Sequence, residues 1–89
     1  MKIKLELFGA SRDFSDNDHL DIEIRDKASV DDLRNEIIKY LDKNFKGNEA
    51  FIRIVNSSAF CSENNEIISD NYKITKDQKI SIIPPIGGG

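Results

Sequence analysis

The chain has 89 residues, 38% hydrophobic and 33% charged, enough apolar matter for one modest core and no second domain. Thirteen basic residues against sixteen acidic ones leave a net charge of -3, which argues against a dedicated nucleic-acid binder. Apolar runs are too short for a transmembrane helix, and Met1-Lys2-Ile3-Lys4 lacks the apolar stretch of a signal peptide, so a cytoplasmic protein is expected, with neither nucleic acid nor membrane as a partner. A single cysteine, Cys61, excludes an internal disulfide framework. With one cysteine and one histidine the usual zinc sites are excluded too, and no metal site is expected. Cys61 reads more readily as a small buried hydrophobe than as a persulfide relay. His19 reads as a solvated loop residue with no partner in the sequence.

From Lys2 to Phe8 the chain alternates: Ile3, Leu5 and Leu7 on one side, Lys2, Lys4 and Glu6 on the other. A period of two predicts a half-buried strand. Phe8 falls on the polar side of that strand. Gly9-Ala10-Ser11 and the polar run Ser15 to Asp18 read as a loop. Leu20, Ile22 and Ile24 alternate with acidic residues and Arg25, which predicts a second strand antiparallel to the first. Asp26-Lys27-Ala28 reads as a turn, and Ser29 as the N-cap of a helix with Asp31 and Asp32 in its first turn. Val30, Leu33, Ile37 and Leu41 make the helix's apolar stripe. Arg34, Glu36, Lys39, Asp42 and Lys43 make a solvated outer face. Gly47 supplies a left-handed stop.

Phe51-Ile52-Arg53-Ile54-Val55 is apolar on both parities and predicts a central third strand. Asn56-Ser57-Ser58 reads as a turn, and Ile67-Ile68 as a very short strand. After a turn at Asp77-Gln78, Lys79 to Ile83 predicts a last strand. Pro84-Pro85 ends it, because neither residue can donate to a ladder. The order favours an α+β fold: a mixed sheet of four to five strands packed on one main helix, the ubiquitin-like β-grasp, although other small α+β folds share this order. Residues 1–83 form the domain and 84–89 a flexible tail, Pro84-Pro85-Ile86-Gly87-Gly88-Gly89.

Terminal glycines cannot stabilise a core, since glycine has nothing to pack and loses the most backbone entropy on ordering. One reading is a frayed end. The other is a backbone shaped to enter a narrow channel of another protein, with the Gly89 carboxylate as the reacting group. The bare glycine end and the stiffening Pro-Pro before it favour the second.

Several stretches resemble the small, sulfur-carrying subunit of molybdopterin synthase. They are Phe8-Gly9-Ala10-Ser11-Arg12-Asp13-Phe14, Ala28-Ser29-Val30-Asp31-Asp32-Leu33-Arg34, Val55-Asn56 and Ile82-Ile83-Pro84-Pro85-Ile86-Gly87-Gly88-Gly89. The resemblance implies that a ubiquitin-activating-like adenylyltransferase uses MgATP to convert Gly89 to an acyl-adenylate. Sulfide from a sulfur donor protein then displaces AMP and leaves a thiocarboxylate. It further implies insertion of Gly89, Gly88, Gly87, Ile86, Pro85 and Pro84 into the large synthase subunit, in a heterotetramer, for molybdenum cofactor synthesis. The chain itself shows no phosphate-binding loop and no general base, so no cofactor of its own is expected, and catalysis would belong to its partners. Docking is expected on the sheet face the helix leaves bare. Phe8 and Ile83 are candidate contacts there, although Phe8 tucked beneath the following loop is an equal reading. Arg12 either docks on acidic groups or, more simply, folds back onto Asp13 or Asp16.

Three other readings share the sequence. A sulfur carrier for another pathway, such as thiamin thiazole formation, also ends in Gly-Gly. A ubiquitin-like modifier begins with the same adenylate and differs only in the acceptor, a protein amine. A non-catalytic β-grasp interaction domain makes the glycines incidental.

Overall fold

The computed structural model describes residues 1–85. Strand β1 (Lys2–Leu7) pairs antiparallel with β2 (His19–Glu23), Ile3 facing Ile22 and Leu5 facing Leu20. On its other edge β1 pairs in parallel with β5 (Gln78–Ile83), Leu5 beside Ile80 and Leu7 beside Ile82. The short strands β3 (Ala59–Cys61) and β4 (Ile67–Ile68) complete a five-stranded mixed sheet in the order β2-β1-β5-β3-β4. This is the β-grasp arrangement expected from the element order.

Helix α1 (Val30–Phe45) covers one face of the sheet. Its stripe of Val30, Leu33, Ile37 and Leu41 is fully buried together with Ile3, Leu5, Leu7, Phe60, Ile74, Ile80 and Ile82. Its start is over-determined. Ser29 Oγ accepts from the Asp32 N–H (3.1 Å), and the Asp32 carboxylate accepts from the Ser29 N–H (3.0 Å), a reciprocal cap. The strap before β5 satisfies two more orphan amides: Val30 N–H donates to Tyr72 O (3.0 Å) and Asp31 N–H to Asp70 O (3.0 Å). At the other end the left-handed turn begins one residue before the expected glycine. Lys46 takes φ +54° as the cap residue, and Gly47 follows at +71°.

The segment expected as a central strand is a helix. Helix α2 (Glu49–Ser57) contains all of Phe51 to Val55. A short run of apolar residues fits either state by pattern alone. Here Asn48 decides the start, its Oδ1 accepting from the Ala50 (3.0 Å) and Phe51 (3.2 Å) amides. Aromatic packing supports it, with Phe51 against Phe14 (5.1 Å between centroids) and Phe45 (5.0 Å). The place beside β5 goes instead to β3, and the helix runs on through Asn56 and Ser57, where a turn was expected. The loop after β1 is likewise ordered as a 3-10 helix (Gly9–Phe14), closed by Ser11 Oγ, which donates to Phe8 O (2.7 Å) and accepts from Phe8 N–H (2.9 Å).

Arg34 is not on the solvated face its spacing suggested. Its side chain is 12% exposed. It donates to the Val55 and Ser58 carbonyls, pairs with Asp70 (2.6 Å) and stacks over Phe60 (4.8 Å to the centroid). One guanidinium thus ties α1 to the end of α2 and to the strap. Replacing it removes the guanidinium donor from the Ser58 carbonyl and leaves the Val55 carbonyl with the Ser58 N–H alone (3.3 Å). We expect Arg34→Ala to cost about 2–3 kcal/mol in urea unfolding, and Arg34→Lys to recover only part of that.

The Asp32 carboxyl is held below its ordinary value, first by the Ser29 backbone N–H, with the Ser29 hydroxyl and the Arg25 guanidinium (2.9 Å) adding to it. A depressed carboxyl stabilises the fold above its unfolded value of about 4 and loses that contribution as pH falls through its folded value. Denaturation midpoints of the wild type and Asp32→Asn should therefore differ at neutral pH and converge in acid below about pH 4.

Candidate functional site

Strand β5 sets the geometry of the site, because it carries the chain to Pro84 and Pro85. Ile80 and Ile82 point into the core, while Ser81 and Ile83 lie on the face the helices leave bare. Pro84 is buried and Pro85 exposed. Gly9 lies beside Pro84 and takes φ +55°, a conformation costly for any residue with a Cβ.

Across the bare face the register lines up an apolar strip. Ile83 faces Ala59, Ser81 faces Cys61, and Cys61 faces Ile67 on the edge strand. Phe8 extends β1 alongside Ile83, following the Leu7–Ile82 pair. Ile67 is 76% exposed, Phe8 45% and Ile83 36%. Exposed aliphatic and aromatic side chains grouped this way make the strip a candidate docking surface. Glu6 and Lys79 form an ion pair (3.0 Å) on its polar side.

Both interface candidates, Phe8 and Ile83, therefore sit together on the bare face, and Phe8 is not tucked beneath the loop. Arg12 is exposed and makes no ion pair among the described residues, so it does not fold back onto Asp13 or Asp16. Cys61 is half-buried on the open face and not in the core. His19 opens β2 and does have partners: its Nδ1 lies 3.0 Å from Asp18, and Asp21 is 4.0 Å from Nε2. That ring is the main reason the exposed Asp18 carboxyl lies below its ordinary value. The four last candidates, Ile86, Gly87, Gly88 and Gly89, lie outside the described residues. Sequence reasoning missed Ala59 and Ile67, which join the strip only through strand pairing. Among the described residues no group of three or more His, Cys, Asp or Glu could hold a metal ion, and no helix is long and apolar enough to cross a membrane.

The sequence model of the ThiS family matches residues 5–89, nearly the whole chain. The chain belongs to the ThiS family. It is thus a ubiquitin-like sulfur carrier in the coarse sense of that family. Two solved structures share the fold. A putative molybdopterin converting factor, subunit 1, from Pyrococcus furiosus superposes with a TM-score of 0.70 at 24% identity, over 96% of this chain and 98% of its own. SAMP1 from Haloferax volcanii superposes with a TM-score of 0.68 at 14% identity, over 100% of both chains. No curated protein sequence matches the chain.

The two faces of β5 differ in burial, and stability separates them. Ile82→Ala should cost about 2–5 kcal/mol in chemical denaturation, as expected for a buried aliphatic. Ile83→Ser, one residue on and facing outward, should stay within about 0.5 kcal/mol of wild type.

Proposed function

We propose that this ThiS-family chain carries sulfur on its C-terminal glycine as the small subunit of a molybdopterin synthase. The observation that carries the reading is the continuity of the apolar strip with the strand that leads to Pro84-Pro85 and the glycines. A surface for a partner and a backbone for its channel lie at one end of one strand. The whole-chain family match and the fold shared with a molybdopterin converting factor subunit support it.

A carboxylate is a poor electrophile. An adenylyltransferase of the ubiquitin-activating kind solves this with MgATP: a Gly89 oxygen attacks the α-phosphate, pyrophosphate leaves, and the acyl carbon becomes reactive. The terminal sulfur of a persulfide on a donor protein then attacks the acyl carbon and displaces AMP, giving an acyl disulfide. A thiol cleaves that disulfide, leaving a thiocarboxylate on Gly89 and a disulfide between the donor cysteine and the thiol. Phe8, Ile83 and the strip toward Ile67 dock on the large subunit, with two small subunits at the ends of a large-subunit dimer. The chain past Pro85 enters the active site there. The thiocarboxylate, ionised and soft, attacks a carbon of the pterin precursor through sulfur and displaces an oxygen substituent. Water then hydrolyses the resulting thioester, so sulfur stays on the pterin and Gly89 returns to a carboxylate. Cys61, half-buried between Ser81 and Ile67, lies within this contact surface.

The test is the intact mass of the chain purified from its native cells, with a variant lacking Gly89 beside it. We expect a gain equal to replacing one oxygen by sulfur, absent from the variant. An unmodified mass with the activating enzyme present and sulfur supplied would overturn the reading. A branched peptide linking Gly89 to a lysine of another protein would identify a modifier instead.

A further inference from the structure

On the other side of the tail root from the apolar strip lies a groove of about 340 Å³. Ala10 of the 3-10 helix, Ala50, Arg53 and Ile54 of α2, and Pro84 and Pro85 form its walls. Two alanines make it concave, and Ile54 and the prolines make it apolar. Ser57 also borders it, but its hydroxyl is already spent on the Arg53 (2.9 Å) and Ile54 (3.2 Å) carbonyls. Arg53 is thus the groove's one uncommitted polar side chain. It is exposed and makes no ion pair among the described residues, although Glu49 stands one helical turn before it at a spacing suited to pairing. In a chain with an acidic excess, a cation left unpaired beside an apolar hollow defines its complement: an aliphatic segment that bears a single carboxylate.

We infer that this groove receives such an acidic, aliphatic segment of the enzyme that adenylates the chain. The assignment rests on the function proposed above. Two of the groove's walls are the residues from which the chain leaves the domain, so a protein that encloses the residues beyond Pro85 meets the groove at once. Adenylation is the step that both the carrier and the modifier readings require, so the groove is assigned to it rather than to the sulfur acceptor. The apolar strip and the groove then flank the root of the tail on its two sides, one for each partner. Buried contact between Arg53 and a carboxylate would fix the direction in which the tail enters, because the flanking apolar walls exclude water from the pair.

The test is ATP–pyrophosphate exchange by the purified adenylyltransferase of the same cells, with the full chain as substrate. The variants are Arg53→Glu, Arg53→Lys and Ala50→Trp, which fills the groove. Arg53 and Ala50 are both exposed, and unchanged thermal unfolding checks that each variant folds. Arg53→Glu should raise KM for the chain about tenfold or more with kcat unchanged, and Ala50→Trp should act in the same direction. Arg53→Lys should keep most of the affinity, and added salt should narrow the gap between wild type and Arg53→Glu. Normal exchange with KM unchanged in both disruptive variants would overturn the groove assignment alone. Faster exchange by Ala50→Trp would mean that residues 86–89 occupy the groove, and would overturn it as well. No exchange with the wild-type chain would overturn the functional reading and the groove with it.

Discussion

The parallel pairing of β1 with β5 is the constraint on which the rest depends. Parallel neighbours cannot be joined by a tight turn, so the whole chain between them becomes one long crossover. That crossover carries β2, both helices, β3 and β4, and it has to cover one face of the sheet as it returns. The last strand is thereby set in the middle of the sheet, with Ile80 and Ile82 sealed beneath α1. This placement sets where the chain leaves the domain. The chain leaves the domain from a central strand, between a bare sheet face on one side and the 3-10 helix and α2 on the other.

A crossover this long needs internal ties, and the polar ones converge on the start of α1. Ser29 and Asp32 close the first turn on themselves, while the strap at Asp70 and Tyr72 caps it from outside. Arg34 then reaches from α1 to the carbonyls that end α2. Because β3 begins directly after α2, the same contacts set where β3 meets β5, and with it the apolar strip of Ala59 and Cys61. The tie is an economical one. Every buried side-chain nitrogen or oxygen among the described residues has a partner, so specificity is gained without an orphaned polar group.

The parts of this fold written in short-range periodicity were readable from the residues. The alternation of Ile3, Leu5 and Leu7, the helical spacing of Val30, Leu33, Ile37 and Leu41, the Ser29 cap and the Pro-Pro stop each need only neighbours a few positions away. What escaped was non-local. Phe51 to Val55 is rich in β-branched residues and reads as a strand by propensity. Asn48 and the aromatic contacts of Phe51 with Phe14 and Phe45 override that, and two of those three partners lie outside the segment's own turn. Arg34 looked like a surface charge because its acceptors, Val55, Ser58 and Asp70, stand more than twenty residues on. The site divided the same way. Phe8 and Ile83 showed in the parity of their strands, whereas Ala59, Cys61 and Ile67 became neighbours only through the pairing of β3 with β4 and β5.

The central position of β5 also bears on mechanics. A force applied at Pro85 along the axis of this strand has two ladders to overcome. The ladders to β1 on one edge and to β3 on the other then take the load together, in shear, instead of opening one bond at a time. To yield, the strand must slide past both neighbours and drag Ile80 and Ile82 from the core in the same movement. Tension applied where β5 leaves the domain is thus borne by the whole sheet, and the domain behind it keeps its shape.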